Sequence, residues 1–117
     1  MKTEVVARQA LTESLKTRLQ DGQRVIREQY LAERDAARLL HQRCRLIDEV
    51  LCKLWHELAM PPSLALIAVG GYGRGELYPA SDVDLLILLP EQADSLLAAQ
   101  LEQLGCLFWD IGLESGH

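Results

Sequence analysis

Apolar residues fall at Leu40, Cys44, Ile47, Leu51, Leu54 and Leu58, alternately four and three positions apart. That spacing draws one stripe along one side of an α-helix. The stripe extends upstream through Ile26, Tyr30 and Ala37, with Glu33 interrupting it. Residues 1–59 contain no proline and a single glycine, Gly22, so the whole segment is expected to be helical. Asp21-Gly22 is a turn signal. It predicts a first helix over residues 3–20 and a second beginning near Gln23. A stripe of this kind either docks the helix on its own domain or zips against another chain as a coiled coil. It is clean for barely three heptads, so docking is the expectation. The competing picture is a helical interaction module working through residues 23–59.

The period changes after "AMPPS" (59–63), where two prolines end the helix. "LALIAV" (64–69) and "VDLLILL" (83–89) are continuous apolar runs, which suit buried strands. "PEQADSLLAAQLEQLG" (90–105) reads as an amphipathic helix with Leu96, Leu97, Leu101 and Leu104 inward and Gly105 at its end. A further strand is expected from Ile111. The fold class is therefore α/β (α+β). A helical region over 1–60 precedes the start of a mixed sheet over 61–117, and the chain is expected to be truncated within an element at His117.

Charge sharpens this division. Eleven of the twelve Lys and Arg residues lie at or before Lys53, most of them on the expected solvated helix face. From residue 61 onward Arg74 is the sole base, against Glu76, Asp82, Asp84, Glu91, Asp94, Glu102, Asp110 and Glu114. A net charge of −5 argues against a general nucleic-acid binder. The acidic half would need metal cations to hold a polyphosphate. Cys44, Cys52 and Cys106 sit in apolar patterns without metal or disulfide spacing, so buried or half-buried thiols in a reducing compartment are expected. No apolar run is long enough for a signal peptide or a membrane span, which leads to the expectation of a soluble cytoplasmic protein with no membrane partner.

The candidate chemistry lies in "VGGYGRGELYPASDVDLLILLP" (69–90), with glycines at 70, 71, 73 and 75. Glu76 stands where a dinucleotide fingerprint would need its third glycine, and no Lys-Ser/Thr pair makes a Walker loop. Gly70 and Gly71, directly after an expected strand, would let the backbone approach a phosphate closely. Asp82 and Asp84 alternate on the next strand and so share one face. Two carboxylates aimed together repel each other and resist desolvation, a conflict that a divalent cation removes. The plainer alternatives are a tight turn for the glycines and a turn or cap role for Asp82 in "PASD".

Val69-Gly70-Gly71 followed, after ten residues, by Asp82-Val83-Asp84 resembles the signature of the nucleotidyltransferase superfamily that includes DNA polymerase β. The longer strings "GGYGRGELYPASDVDLLILL" and "FWDIGLESGH", with the helical "RCRLIDEVLCKLWHEL" (43–58), resemble one family within it, the bifunctional uridylyltransferase/uridylyl-removing enzymes. The resemblance implies that Gly70 and Gly71 line a nucleotide triphosphate with Ser81 beside them. It implies that Asp82 and Asp84 are catalytic residues ligating Mg²⁺, and that Arg74 steadies a phosphate or the local fold. It implies transfer of UMP from UTP to a tyrosine of the PII nitrogen-signalling protein, releasing pyrophosphate. Superfamily members usually add a third carboxylate; Asp110 and Glu114 are the late candidates, and Asp110 is expected instead to end a helix. No adjacent His-Asp pair occurs, so the metal-dependent phosphohydrolase part of the family is not represented. The same glycine and aspartate pattern also serves other protein or small-molecule nucleotidyltransferases, including ones that use ATP.

Overall fold

The computed structural model describes residues 2–75, 83–88, 94–113 and 115–116. Two long helices open the chain, α1 (Lys2–Glu33) and α2 (Ala36–Glu57). Then come β1 (Ala65–Ala68), the short α3 (Gly70–Gly73), β2 (Val83–Leu88), α4 (Ser95–Ile111) and β3 (Ser115–Gly116). Among the described residues no helix is long and apolar enough to cross a membrane.

The expected turn at Asp21-Gly22 is not there: α1 runs unbroken through it to Glu33. Gly22 is buried, and a Cβ built on it would stand 2.6 Å from a Leu46 methyl on α2. This glycine therefore serves the close approach of two helices. Its helical propensity deficit of about 1 kcal/mol is small beside the packing it permits. Arg18 faces Glu49 and Gly22 faces Leu46, so the two helices run antiparallel. The real break lies at Arg34, which takes a left-handed φ of 58°, and at Asp35, whose carboxylate caps α2 by accepting from the Arg38 N–H at 3.1 Å. Ile26 and Tyr30 thus belong to α1, while the stripe proper, with Cys44, Ile47, Leu51 and Leu54 buried, belongs to α2. That stripe joins Leu15 and Leu19 of α1 in the chain's own core. Docking was the right expectation.

Both α2 and α4 end in the same way. Beyond α2, Ala59 N–H bonds to His56 C=O and Met60 N–H to Trp55 C=O; beyond α4, Gly112 N–H bonds to Trp109 C=O and Leu113 N–H to Phe108 C=O. These are Schellman closures, which need a left-handed residue. Gly112 meets that need at φ 94°, whereas Ala59 meets it at φ 49° with a Cβ in the way. Helix α4 consequently runs through Gly105, which is exposed, and stops at Gly112 rather than at 105. Its buried positions are Leu97, Leu104, Leu107, Phe108 and Ile111. Leu96, expected inward, is 70% exposed, because it stands one residue off the row that faces the core. Ile111, expected to start a strand, is the last buried helical residue, and the strand begins at Ser115. Asp110 lies in the last turn of α4, as expected. Of the thiols only Cys44 is buried; Cys52 and Cys106 are exposed, contrary to expectation.

The sheet is mixed, in order β1-β2-β3. β1 and β2 are antiparallel, with Ala65 opposite Leu88 and Ala68 opposite Leu85. β3 runs parallel to β2, with Val83 opposite Ser115 and position 84 opposite Gly116. Val83 is buried, and Leu66, Leu85 and Ile87 pack against the helical core.

Replacing Ala59 by glycine removes the left-handed strain, which for an L-residue is about 1–2 kcal/mol. After the added freedom of the unfolded chain, Ala59→Gly is expected to raise the unfolding free energy by about 0.5–1 kcal/mol. Urea denaturation followed by far-UV circular dichroism measures this, and a loss of stability would contradict the Schellman assignment.

Candidate nucleotide site at the glycine turn

β1 ends at Ala68, and the chain turns at once into α3. Gly70 opens the turn with φ 60°, in the region that side chains disfavour. Gly73 N–H then bonds to Val69 C=O at 3.0 Å, and Arg74 N–H to Gly70 C=O at 3.2 Å. The amides of residues 70–72 thus precede the first bond of the turn. Gly73 is glycine for another reason: a Cβ there would stand 2.7 Å from the Ala68 carbonyl oxygen. The turn is folded so tightly back on β1 that no larger residue fits without moving backbone.

Tyr72 is the one large side chain in α3. It is 6% exposed and belongs to the core cluster, and its hydroxyl donates a hydrogen bond to the Asp48 carboxylate on α2. Burial, and then the neighbouring Asp48, push the phenol well above its ordinary range. It therefore stays protonated, and a donor, throughout the pH range in which proteins normally fold. Asp48 and Tyr72 also border a cleft of about 540 Å³ between α2 and the sheet, whose walls include Cys52, Trp55, His56, Leu66 and Leu85.

The antiparallel register decides what stands near the turn. Ala68 is opposite Leu85, so the chain leaves β1 for the glycines at the end of the sheet where β2 begins with Val83 and Asp84. α3 packs against both strands at this end of the sheet. Asp82 and Ser81 lie outside the described residues, as does Glu114. Arg74 follows α3 directly and is exposed. Among the described residues no cluster of three or more His, Cys, Asp or Glu stands ready for a metal. The donor chemistry of the Asp82/Asp84 pair nonetheless suits Mg²⁺, which takes one or two carboxylates and completes its shell with water and phosphate oxygens. The sequence reading missed the Asp48–Tyr72 bond. Its available signals were a large aromatic residue placed among glycines and an acid on the flank of the apolar stripe.

The sequence model of the nucleotidyltransferase domain family matches residues 44–110, from the middle of α2 to the last turn of α4. The chain belongs to this family. It is also similar to curated proteins named bifunctional uridylyltransferase/uridylyl-removing enzyme. With that of Aromatoleum aromaticum it shares 46% identity over 115 residues, 98% of this chain and 13% of the relative. With that of Nitrosospira multiformis it shares 43% over 111 residues, 90% of this chain and 12% of the relative. With that of Chromobacterium violaceum it shares 42% over 99 residues, 85% of this chain and 12% of the relative. The chain thus spans about an eighth of the length of these relatives. No solved structure matches it.

Two glycine substitutions separate the roles argued above. Gly105→Ala, in an exposed helix interior with nothing within 4 Å of the new Cβ, is expected to stabilise by about 0.5–1 kcal/mol. Gly73→Ala is expected to destabilise by about 1–3 kcal/mol, since its Cβ meets backbone. Thermal melts of the two variants should move in opposite directions.

Proposed function

We propose that this chain carries the nucleotide-binding part of a transferase that moves UMP from UTP to a tyrosine hydroxyl of the PII nitrogen-signalling protein. The observation that carries this reading is the glycine turn lying at the end of the sheet where β2 begins, with Asp84 its second residue. Membership of the nucleotidyltransferase family supports transfer of a nucleotide, and the printed names of the relatives support a uridylyl group.

In this reading Gly70 and Gly71 admit the triphosphate close to the backbone, and their N–H groups donate to its oxygens. Ser81 is assigned to the same nucleotide site from the sequence motif, and Arg74 contributes the one cationic side chain of the acidic half. Asp82 and Asp84 are the catalytic residues that hold Mg²⁺. When bound, Mg²⁺ neutralises the phosphate oxygens and the developing charge of the leaving group. The acceptor tyrosine oxygen forms a bond to the α-phosphorus, the bond from the α-phosphorus to the bridging oxygen breaks, and pyrophosphate departs with that electron pair. The phenolic proton passes to solvent. Placement in the cytoplasm agrees with these soluble substrates and with the free thiols.

Calorimetric titration with UTP, with and without Mg²⁺, tests the reading. Binding is expected to require Mg²⁺ and to favour UTP over ATP. Asp82→Asn and Asp84→Asn are each expected to weaken it about 10- to 100-fold, the scale of losing a charge-assisted contact. Equal binding by the wild type and both variants would remove the metal assignment, and a preference for ATP would move the chain to a different nucleotidyltransferase.

A further inference from the structure

The glycine turn has little to hold it in shape by itself. Three of the four residues of α3 are glycine, and a single helical turn is far below the length at which a helix is stable alone. Backbone bonds to Val69 and Gly70 close the turn and fold it back on β1, but they make no tie to the helices. That tie comes from Tyr72, the only side chain of α3 large enough to be anchored in the core.

The other end of the anchor is unusually firm. Asp48 lies between Ile47 and Val50, both 0% exposed, on a helix capped at its start by Asp35 and closed at its end by the Ala59 turn. Its neighbour Glu49 receives two hydrogen bonds from the Arg18 guanidinium of α1, which ties this stretch of α2 to the hairpin. The Asp48 carboxylate is therefore presented from a fixed position, while the group it receives belongs to an element with no rigidity of its own. The bond spans 24 positions of sequence and connects the helical hairpin directly to the candidate phosphate turn. The family match also begins at Cys44, within α2, so it includes Asp48 as well as Tyr72.

We infer that Asp48 is a positioning residue for nucleotide binding: through the Tyr72 hydroxyl it holds the turn at residues 70–73 in the orientation that receives the triphosphate. The inference rests on the proposed function for its ligand, but its structural half is testable without one. Tyr72→Phe deletes the hydroxyl and keeps the buried ring. Asp48→Ala deletes the acceptor at an exposed helix position, and Asp48→Asn retains a carbonyl oxygen in its place.

Two measurements on the full 117-residue chain decide the matter. The first is amide hydrogen exchange of Gly73 and Arg74 without nucleotide. The second is the Kd for Mg·UTP by calorimetry. Tyr72→Phe and Asp48→Ala are each expected to speed exchange and to raise Kd by about tenfold, as loss of one hydrogen bond to a charged group implies. Asp48→Asn should stay near the wild type, and the double variant Asp48→Ala/Tyr72→Phe should be no worse than either single. Unchanged exchange in both single variants overturns the anchor. Faster exchange with an unchanged Kd, in a wild type that binds Mg·UTP, leaves a purely structural tie and overturns the positioning role. A wild type that binds no Mg·UTP removes the proposed function and the positioning role together, and exchange alone then judges the anchor.

Discussion

Burial of one side of α2 is the constraint from which the rest of this structure follows. Ile47 and Val50 are completely out of solvent, and Leu54 is nearly so. Each such side chain contributes about 1.5–3 kcal/mol relative to an exposed one. That burial requires α1 to lie close along α2, which in turn requires a residue without a side chain at the crossing, and Gly22 stands there. It also fixes the rotation of α2 about its axis. With the stripe facing α1 and the core, the flank bearing Asp48 is left facing the sheet and the glycine turn. The exposed Arg18–Glu49 pair adds little by itself, but it marks the register at which the two helices meet.

Sequence reasoning captured the parts of this arrangement that are set by local periodicity. The four-three spacing in α2, the apolar runs of β1 and β2 and the glycines following β1 are all properties of neighbouring residues, and the helix, strands and turn they predict are present, although α2 begins at Ala36 rather than near Gln23. The failures came where a glycine or a leucine was assigned its commonest local role and tertiary packing gave it another. Gly22 looked like a turn and is a contact point between helices. Gly105 looked like a helix end and is an exposed interior position, because Gly112 seven residues later provides the left-handed closure. Leu96 looked inward because it adjoins Leu97 in a leucine-rich stretch, but only Leu97 stands on the row continued by 104, 108 and 111. For the candidate site, Gly70, Gly71 and the strand position of Asp84 were legible as a motif. The bond from Tyr72 to Asp48 was not, since no periodicity relates residues 24 apart on different kinds of element.

The strand β2 connects the core to the candidate chemistry through its alternation. Val83 is buried and Leu85 and Ile87 pack against the helices, whereas Leu86 and Leu88 are 49% and 50% exposed. Position 84 shares a face with 86 and 88 by the two-residue period of a strand. Position 84 therefore alternates with the residues that pack against the helices. A slip of one residue between β1 and β2 would exchange the faces. Val83 and Leu85 would leave the core, and an acid would enter it. An unpaired carboxylate in that environment costs several kcal/mol, so an acid at this position penalises the wrong register. The anchoring of the glycine turn to α2 and the register of β2 are then two solutions to one problem. Each uses the rigid helical core to fix a short, polar or glycine-rich segment that could not hold its own geometry.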